Sequence, residues 1–384
     1  MNKKRYLLAV SGDFVPTPSN LAEFENADMK ALFGEELIRV LSDAECRIFN
    51  LEVPFADTRT PVKKWGPNLI APVRTIETYR KIKADVLGLA NNHILDQGKK
   101  GLISTLSVLK KSGISIAGAG RNLEEAGKPL IFCLGKMKIG ILAFCEHEFS
   151  VAGRDSCGAN PFNPFCSFEQ VEQVSRKTDY TVVLYHGGKE HYRYPSPDLQ
   201  TVCRGLADKG ADLIVCQHSH CIGCEEQYRG SVIVYGQGNF LFDRSSSVMW
   251  STGLIVMVDR NMEVSYTPIV KKDNGVRLAA PECAQQILAD FRSRSRQIQN
   301  PDFVKEKYKE FANVMLKDYL RFFSGKNNSI FFRAIHKLTG RRLEDRYFDM
   351  IYKKDDFLAL RNFIECEAHR ELLLQGLNNR LNID

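Results

Sequence analysis

Short apolar runs alternate with amphipathic stretches over roughly the first 275 residues of the chain. The runs at 6–10, 84–90 and 180–185 have the length of strands and are apolar nearly throughout, as in sheets that are covered on both faces. The stretches at 101–112 and 198–209 repeat apolar residues at three- and four-residue spacing, which predicts helices. Strands that alternate with helices predict an α/β layered fold.

The pattern changes near residues 270–285 and is helical from there to the end. The predicted helices of this tail are 284–297, 302–323 and 355–381. We therefore predict two domains, an α/β domain over residues 1–275 and a helical C-terminal subdomain over residues 285–384.

The composition of the 384-residue chain, 44% hydrophobic and 26% charged, is that of a folded protein. A net charge of +7 is compatible with an anionic substrate and too small to indicate nucleic acid binding. Eleven cysteines at irregular spacing favour reduced thiols. The first apolar stretch is too short for a secretory signal, and no run approaches a membrane span. We therefore expect a cytoplasmic protein with no integral membrane segment.

Polar residues gather directly after the predicted strands, where α/β proteins place their sites. Taken singly, each has an ordinary explanation as a helix cap, a turn residue or a core histidine. Their agreement in position is informative, because oxygen and imidazole ligands at adjoining strand ends are what a divalent metal ion, or a pair of ions, requires. The six strand ends carry Gly12-Asp13, Asn50-Leu51-Glu52, Asn91-Asn92-His93 with Asp96, His186-Gly187-Gly188 with Glu190, Gln217-His218-Ser219-His220, and Gly236-Gln237-Gly238-Asn239-Phe240.

This ordered series resembles the CapA family, which is named for poly-γ-glutamate capsule proteins and is similar in fold to calcineurin-like metallophosphoesterases. The resemblance spans roughly residues 6–270, and its Asn-Asn-His-x-x-Asp and Gly-Asn-Phe segments are the specific ones. It implies an α/β fold of four layers, an αββα metallophosphatase-like sandwich of two mixed sheets with helices outside. The tail after about residue 285 then forms a C-terminal helical extension.

The resemblance also implies two divalent ions, of Mn, Fe or Zn, and a role for each site residue. His93 would act as the general acid, with Asp96 orienting it. The substrate would be anionic, and the candidate residues to contact it are Lys189, Glu190, Arg193 and Asn239. For the basic residues Lys189, Arg193 and Arg74, however, solvated surface charge is the favoured interpretation. The implied metal ligands are Asp13 and His220 for one ion, Asn92, His186 and His218 for the other, and Glu52 as the bridge.

The chain departs from the usual metallophosphoesterase pattern at several positions. Val15 stands where the first motif normally has a second ligand, a histidine, and Glu52 stands where an aspartate is usual. Gln217 and Ser219 replace the glycine and proline of the last motif. The first metal would therefore be held less tightly, or its coordination completed by water.

Two classes of function remain open on these residues. The first is a metal-dependent hydrolase, foremost a phosphoesterase acting on a small anionic or glycan- or polymer-linked substrate in capsule or exopolymer biosynthesis, with attack on an amide as a variant. The second is a non-catalytic subunit that binds an acidic polymer or partner proteins and keeps a vestigial or structural metal site. The sequence leaves the oligomeric state open.

A small structural zinc site is a further alternative for part of the last motif. Sites of that kind usually draw ligands from two separated knuckles, and no clear second knuckle is present. The residues concerned are Cys216, His218, His220, Cys221 and Cys224.

Overall fold

Two mixed β-sheets dominate the computed structural model, which describes residues 5–243, 247–323, 347 and 350–381. In the first sheet four strands are parallel neighbours and an antiparallel set extends one side. Its order is β15 (Gly275–Leu278), β14 (Val264–Lys272), β13 (Thr252–Asp259), β1 (Tyr6–Asp13), β2 (Ala44–Asn50), β3 (Val86–Gly88) and β4 (Ser115–Ala117).

The second sheet also has a parallel centre, and its two edge strands run antiparallel to their neighbours. A separate short ladder joins β5 (Ala119–Gly120) to β8 (Gly158–Ala159). The order of the second sheet is β11 (Glu225–Tyr228), β12 (Ser231–Val234), β10 (Leu213–Gln217), β9 (Tyr180–His186), β7 (Met137–Cys145) and β6 (Leu130–Leu134).

Helices cover the outer faces of the two sheets, apart from short α6 (Leu123–Ala126), which packs on β5 and β8. The first sheet is covered by α1 (Leu21–Glu25), α2 (Met29–Leu32), α3 (Gly34–Ser42), α4 (Ile76–Lys81) and α5 (Gly98–Ser112), and the second by α7 (Ser167–Ser175) and α8 (Pro197–Asp208).

Alternate residues of the second sheet enter two different cores, as the two-residue period of a strand requires. Ile141 and Val182 pack with residues of the first sheet in the core between the sheets. Their chain neighbours Leu142 and Val183 pack with α7 and α8 on the other side. The predicted four-layer αββα sandwich is confirmed.

The chain divides into two units, Met1–Lys305 and Glu306–Asp384. This division differs from the predicted one at residues 275–285, because α9 (Pro281–Gln297) packs on β11 and β14 and so belongs to the first unit. A long helix, α10 (Pro301–Phe323), crosses the division.

In the second unit, α11 (Lys354–Glu365) packs on α12 (Glu367–Leu381). The single helix predicted over 355–381 is therefore wrong in one respect, since Cys366 has an extended backbone and separates two helices. Residues 324–346, 348–349 and 382–384 of the predicted subdomain lie outside the described residues. Within the described part of the chain, no helix has the length and apolar character needed to cross a membrane.

A cluster of aromatic side chains lies directly beneath the end of β1. Phe14 is fully buried, and its ring centroid lies 4.4 Å from that of Tyr79 and 5.1 Å from that of Phe240. Phe24, Phe33 and Phe49 lie within 5.8 Å of it. The Tyr79 hydroxyl also donates a hydrogen bond of 2.7 Å to the Phe14 carbonyl. The cluster thus fixes the backbone next to Asp13.

Replacing Phe14 with alanine should lower the free energy of unfolding by ~3–5 kcal/mol, because it removes a buried ring and leaves a cavity. Phe165→Ala is the matched control, since Phe165 is 93% exposed and its loss should change the free energy by no more than about 0.5 kcal/mol. Equilibrium denaturation in urea measures both. Equal midpoints for the two variants would contradict the structural role of the cluster.

Candidate metal centre

The carboxyl ends of parallel strands from both sheets meet at one edge of the sandwich. In the first sheet Asp13 ends β1 and pairs in register with Asn50 at the end of β2. In the second sheet His186 ends β9 and pairs with Gln217 at the end of β10. This is the edge at which open α/β sheets bind ligands.

Asn50 links the two sheets at this edge. Its Nδ2 donates a hydrogen bond of 2.7 Å to Asp13 Oδ1 and lies 3.3 Å from Nδ1 of His186. Asn91 in turn donates to the carbonyl of Leu51 at 2.8 Å, which anchors the loop after β3. Side chains far apart in sequence are therefore held in one buried network.

Two groups of possible metal ligands share Glu52. The first is Glu52, His186 and His218, and the second is Asp13, Glu52 and His220. Within each group the ligand atoms lie within 4.8 Å of one another. A carboxylate that belongs to both groups is placed as a bridge between two positions.

The atoms around His186 Nε2 favour a cation. Asn92 Oδ1 lies 3.1 Å away, His218 Nδ1 lies 3.2 Å away and Glu52 Oε1 lies 3.3 Å away. A ring nitrogen donates at most one proton, so it cannot satisfy all three neighbours. Lone pairs that converge in this way are what a bound cation would accept.

The burial of Glu52 supports the same conclusion. Its side chain is fully buried, and neither carboxylate oxygen has a hydrogen-bond partner among the described residues, because the approach of His186 lacks hydrogen-bond geometry. Burial and the nearby charge of Asp13 raise the pKa of Glu52 to about 8. A cation would offset this cost, so the residues present fit a divalent metal ion.

The two imidazoles of the first group are prepared to act as ligands. Burial lowers the pKa of His186 to about 4. Burial, together with the charges of His186 and His220, lowers that of His218 to about 3. Both rings are therefore neutral at pH 7, the form that coordinates a metal.

His220 and Asp13 instead form an ion pair, with Nδ1 and Oδ2 3.4 Å apart. Burial alone would lower the pKa of His220, but the hydrogen bond to Asp13 and the charge of Glu52 raise it to about 9. Burial would likewise raise the pKa of Asp13, yet the bond from His220 and the neighbouring imidazole charges lower it. A metal ion at this position would replace the proton of His220.

The backbone is strained where the two last-motif histidines lie. His218 has φ of 86° and His220 has φ of 52°, a region that residues with a Cβ rarely adopt. Asn239 Oδ1 lies 2.9 Å from His220 Nδ1, and the Trp250 ring stacks on His220 at 4.5 Å. Neighbouring side chains thus hold the strained segment in place.

Gly12 permits the approach of the loop that carries Asn239. A Cβ at Gly12 would lie 2.0 Å from the carbonyl oxygen of Gly238, which is far closer than any real contact. Any other residue at position 12 would push this loop away from the site.

His93 directly follows Asn92, whose Oδ1 contacts His186, and it pairs with Asp96, so His93 and Asp96 lie beside the ligand groups. Nδ1 of His93 lies 2.6 Å from Oδ2 of Asp96, so Nδ1 carries the proton and Nε2 is available for proton transfer. Sequence reasoning missed Lys64, whose buried ammonium pairs with Asp96 Oδ1. Nothing in the polar segment Lys63-Lys64-Trp65-Gly66 distinguished it from surface charge.

The residues predicted to contact substrate lie in different surroundings. Arg193 donates 3.0 Å to the carbonyl of Ile222, and Lys189 is half-buried. Glu190 is exposed and lies 4.0 Å from His191, whereas Asn239 is buried beside His220. Arg74 pairs with Glu25 at 2.5 Å. A role in substrate binding stays a prediction for all of them.

Val15 contributes nothing to the site. Its side chain is fully buried in the apolar core, and its N–H donates to the carbonyl of Leu241 at 2.8 Å. The structural zinc alternative also finds no support, because neither ligand group identified among the described residues contains a cysteine. Burial raises the pKa values of Cys221 and Cys224, which keeps both thiols protonated.

Comparison with known proteins matches most of the first unit to a protein family. The profile described as "Bacterial capsule synthesis protein PGA_cap" matches residues 7–244. The capsule biosynthesis protein CapA of Bacillus anthracis is 28% identical over 183 residues, which cover 46% of this chain and 44% of that protein. The PGA biosynthesis protein CapA of Bacillus subtilis is 31% identical over 173 residues, 44% of this chain and 46% of that protein.

A probable polyglutamine synthesis accessory protein of Mycobacterium tuberculosis is 28% identical over 202 residues, 49% of this chain and 52% of that protein. The chain spans about half the length of the curated relatives it matches. The crystal structure of a phosphatase from Mycoplasma pneumoniae aligns over 70% of this chain and 95% of that one, with 16% identity and a TM-score of 0.43.

Replacing Glu52 with glutamine should lower the bound metal by at least about half, because both ligand groups lose their shared carboxylate. Elemental mass spectrometry on protein purified without chelator measures this. Glu226→Gln is the control, since Glu226 is also largely buried but pairs with Arg204 at 2.6 Å. Equal metal content in both variants would refute the bridging role of Glu52.

Metal binding should strengthen as the pH rises towards about 8. In the metal-free site Glu52, with a pKa of about 8, and His220, with a pKa of about 9, hold protons at pH 6–7 that a cation must displace. For each proton that the metal must displace, the affinity falls tenfold for every unit by which the pH is lowered. The affinity for Mn²⁺ should therefore rise at least about tenfold from pH 6 to pH 7. Isothermal titration calorimetry would measure it, and a pH-independent affinity would contradict it.

Proposed function

The chain belongs to the bacterial capsule synthesis protein PGA_cap family, whose profile covers more than half of it, and on that premise we propose that its first unit is a metal-dependent phosphoesterase. The observation that carries the proposal is the position of the His93–Asp96 pair beside two ligand groups that share Glu52. The ligand groups alone would indicate a metal-binding protein and not an enzyme in particular. A histidine held by a carboxylate beside them is the arrangement of a general acid.

Two divalent ions, of Mn, Fe or Zn, would supply a water that is nucleophilic at neutral pH and would offset negative charge on the phosphoryl oxygens. The ligands for one would be Asp13 and His220, and those for the other Asn92, His186 and His218, with Glu52 shared.

The residues of this chain would carry out the proton transfer. Asp96 accepts the Nδ1 proton of His93, which fixes the ring and leaves Nε2 to protonate the leaving oxygen. His93 is 12% exposed, so a substrate can reach it while most bulk water is excluded.

The relatives suggest the setting for this reaction. Two of them are named for the biosynthesis of capsule or PGA. We therefore propose that the substrate is a small anionic molecule or a polymer-linked group formed during capsule or exopolymer biosynthesis. A net charge of +7 is compatible with an anionic substrate. Hydrolysis of an amide bond is a variant, since the same site would also favour attack on a carbonyl.

One observation favours a non-catalytic alternative. Val15 is buried in the core, so it leaves one metal position without the additional imidazole that metallophosphoesterases usually supply. A weakly held or vestigial metal would suit a subunit that only binds an acidic polymer or partner proteins. Against this, neither His93 nor Asp96 is needed merely to hold a metal ion.

Replacing His93 with glutamine should lower turnover of a phosphoester by ~10²–10⁴-fold, because the general acid is lost. Metal content and thermal stability should stay unchanged, since His93 belongs to neither ligand group. Steady-state kinetics on the Mn²⁺-loaded chain, with elemental analysis alongside, measures this.

His147→Gln is the matched control, because His147 is an exposed histidine on the loop after β7. Unchanged turnover in His93→Gln would exclude the general acid. No turnover of any phosphoester by metal-loaded wild-type protein would instead favour the non-catalytic alternative.

A further inference from the structure

The loop between β2 and α4 is fastened to the turn that carries Asp96. Thr60 donates from its N–H to Gln97 Oε1 and from its hydroxyl to the Gln97 carbonyl, both at 2.7 Å. The Val62 N–H donates to the Asp96 carbonyl at 3.0 Å, and Gln97 Nε2 donates to the Leu69 carbonyl at 2.8 Å. These bonds fix the loop on both sides of Lys64.

The side chain of Lys64 points inward from this loop. It is 2% exposed, and its ammonium pairs with Oδ1 of Asp96, which is fully buried. The same nitrogen lies 3.3 Å from His93 Nδ1 and 4.2 Å from the centre of the Phe149 ring. A lysine this deeply buried usually has a specific charged partner, and here the partner is the carboxylate that holds His93.

The two oxygens of Asp96 have different partners. Oδ2 accepts from the Leu69 N–H at 2.6 Å and lies 2.6 Å from His93 Nδ1, whereas the ammonium of Lys64 pairs with Oδ1. Without Lys64, Oδ1 of Asp96 would be a buried charged atom, because the other two partners, Leu69 and His93, both contact Oδ2. Rotation of the carboxylate, or entry of water beside it, would then stabilise the unpaired charge. The His93 ring would thereby lose its fixed acceptor.

We propose that Lys64 is a positioning residue for His93: by binding Oδ1 of Asp96, it commits Oδ2 to His93 and so holds the imidazole in the orientation for protonating the leaving oxygen. This inference rests on the proposed function, in which His93 is the general acid. Lys64 is not needed to hold the loop in place, because hydrogen bonds of the backbone and of Gln97 already do so on either side of it.

The test compares two phosphate monoesters that differ in their need for an acid. Glycerol phosphate has a poor leaving group that requires protonation, whereas p-nitrophenyl phosphate releases a stable phenolate. Lys64→Met should slow glycerol phosphate turnover by ~10–100-fold and change p-nitrophenyl phosphate turnover by less than about threefold, since only the first needs a positioned acid. Lys63→Met is the control, because Lys63 is the exposed neighbour and its loss should change neither rate.

A double-mutant cycle separates positioning from general damage to the fold. If Lys64 acts through Asp96, Lys64→Met combined with Asp96→Asn should be no slower than Asp96→Asn alone. The double variant also leaves no unpaired buried charge, so it remains informative if Lys64→Met folds poorly. Equal losses on the two esters, or losses that multiply in the double variant, would overturn the proposal.

A spectroscopic readout distinguishes failure of this inference from failure of the proposed function. In ¹⁵N–¹H spectra of the zinc-reconstituted 384-residue chain, the Nδ1 proton of His93 should exchange slowly in wild type and at least about tenfold faster in Lys64→Met. If wild type hydrolyses neither ester, the proposed function fails, and this measurement still decides the role of Lys64. An Nδ1 proton with unchanged exchange in Lys64→Met would overturn it.

Discussion

Glu52 carries a carboxylate that is fully buried and accepts no hydrogen bond from the described residues. Burying a charged group without a partner costs a large desolvation free energy. Burial, together with the charge of Asp13, accordingly raises the pKa of Glu52 to about 8. Its neighbours relieve this cost only in part, because His186 and His218 are held neutral by their own burial. A cation bound by either of the two ligand groups that share Glu52 would offset this cost, as the proposed function requires.

The surrounding fold is rigid enough to maintain this arrangement. Asn50 joins Asp13 of one sheet to His186 of the other, so the two sheets cannot slide at this edge without breaking buried hydrogen bonds. The aromatic cluster around Phe14 supports the end of β1, and Trp250 stacks on His220. Packing of this kind can sustain the positive φ angles of His218 and His220, which would otherwise relax.

The candidate site divides into two neighbouring parts. The ligand groups use atoms of both sheets, whereas His93, Asp96 and Lys64 lie on the loops that follow β2 and β3. This separation explains how a chain with apolar Val15 at the usual ligand position can keep the His93–Asp96 pair that we propose for proton transfer. It also means that the proposed metal binding and the proposed proton transfer can be tested by separate substitutions.

The sequence by itself determined an α/β layered fold and the strand ends at which polar residues gather, and its resemblance to the CapA family implied the four layers. Apolar periodicity records which face of an element is buried, so it predicted β1, β9, α5 and α8 to within a few residues. It did not identify the break at Cys366 or the strands β4, β5, β8, β11, β14 and β15. The metal and catalytic roles of the predicted site residues stay predictions. Only the tertiary structure decided that Asn50 meets His186, 136 positions away, and that Lys64 is buried on Asp96 rather than solvated. Such contacts depend on how the sheets and loops pack on one another, and a local pattern of residues carries no information about contacts between residues so far apart in sequence.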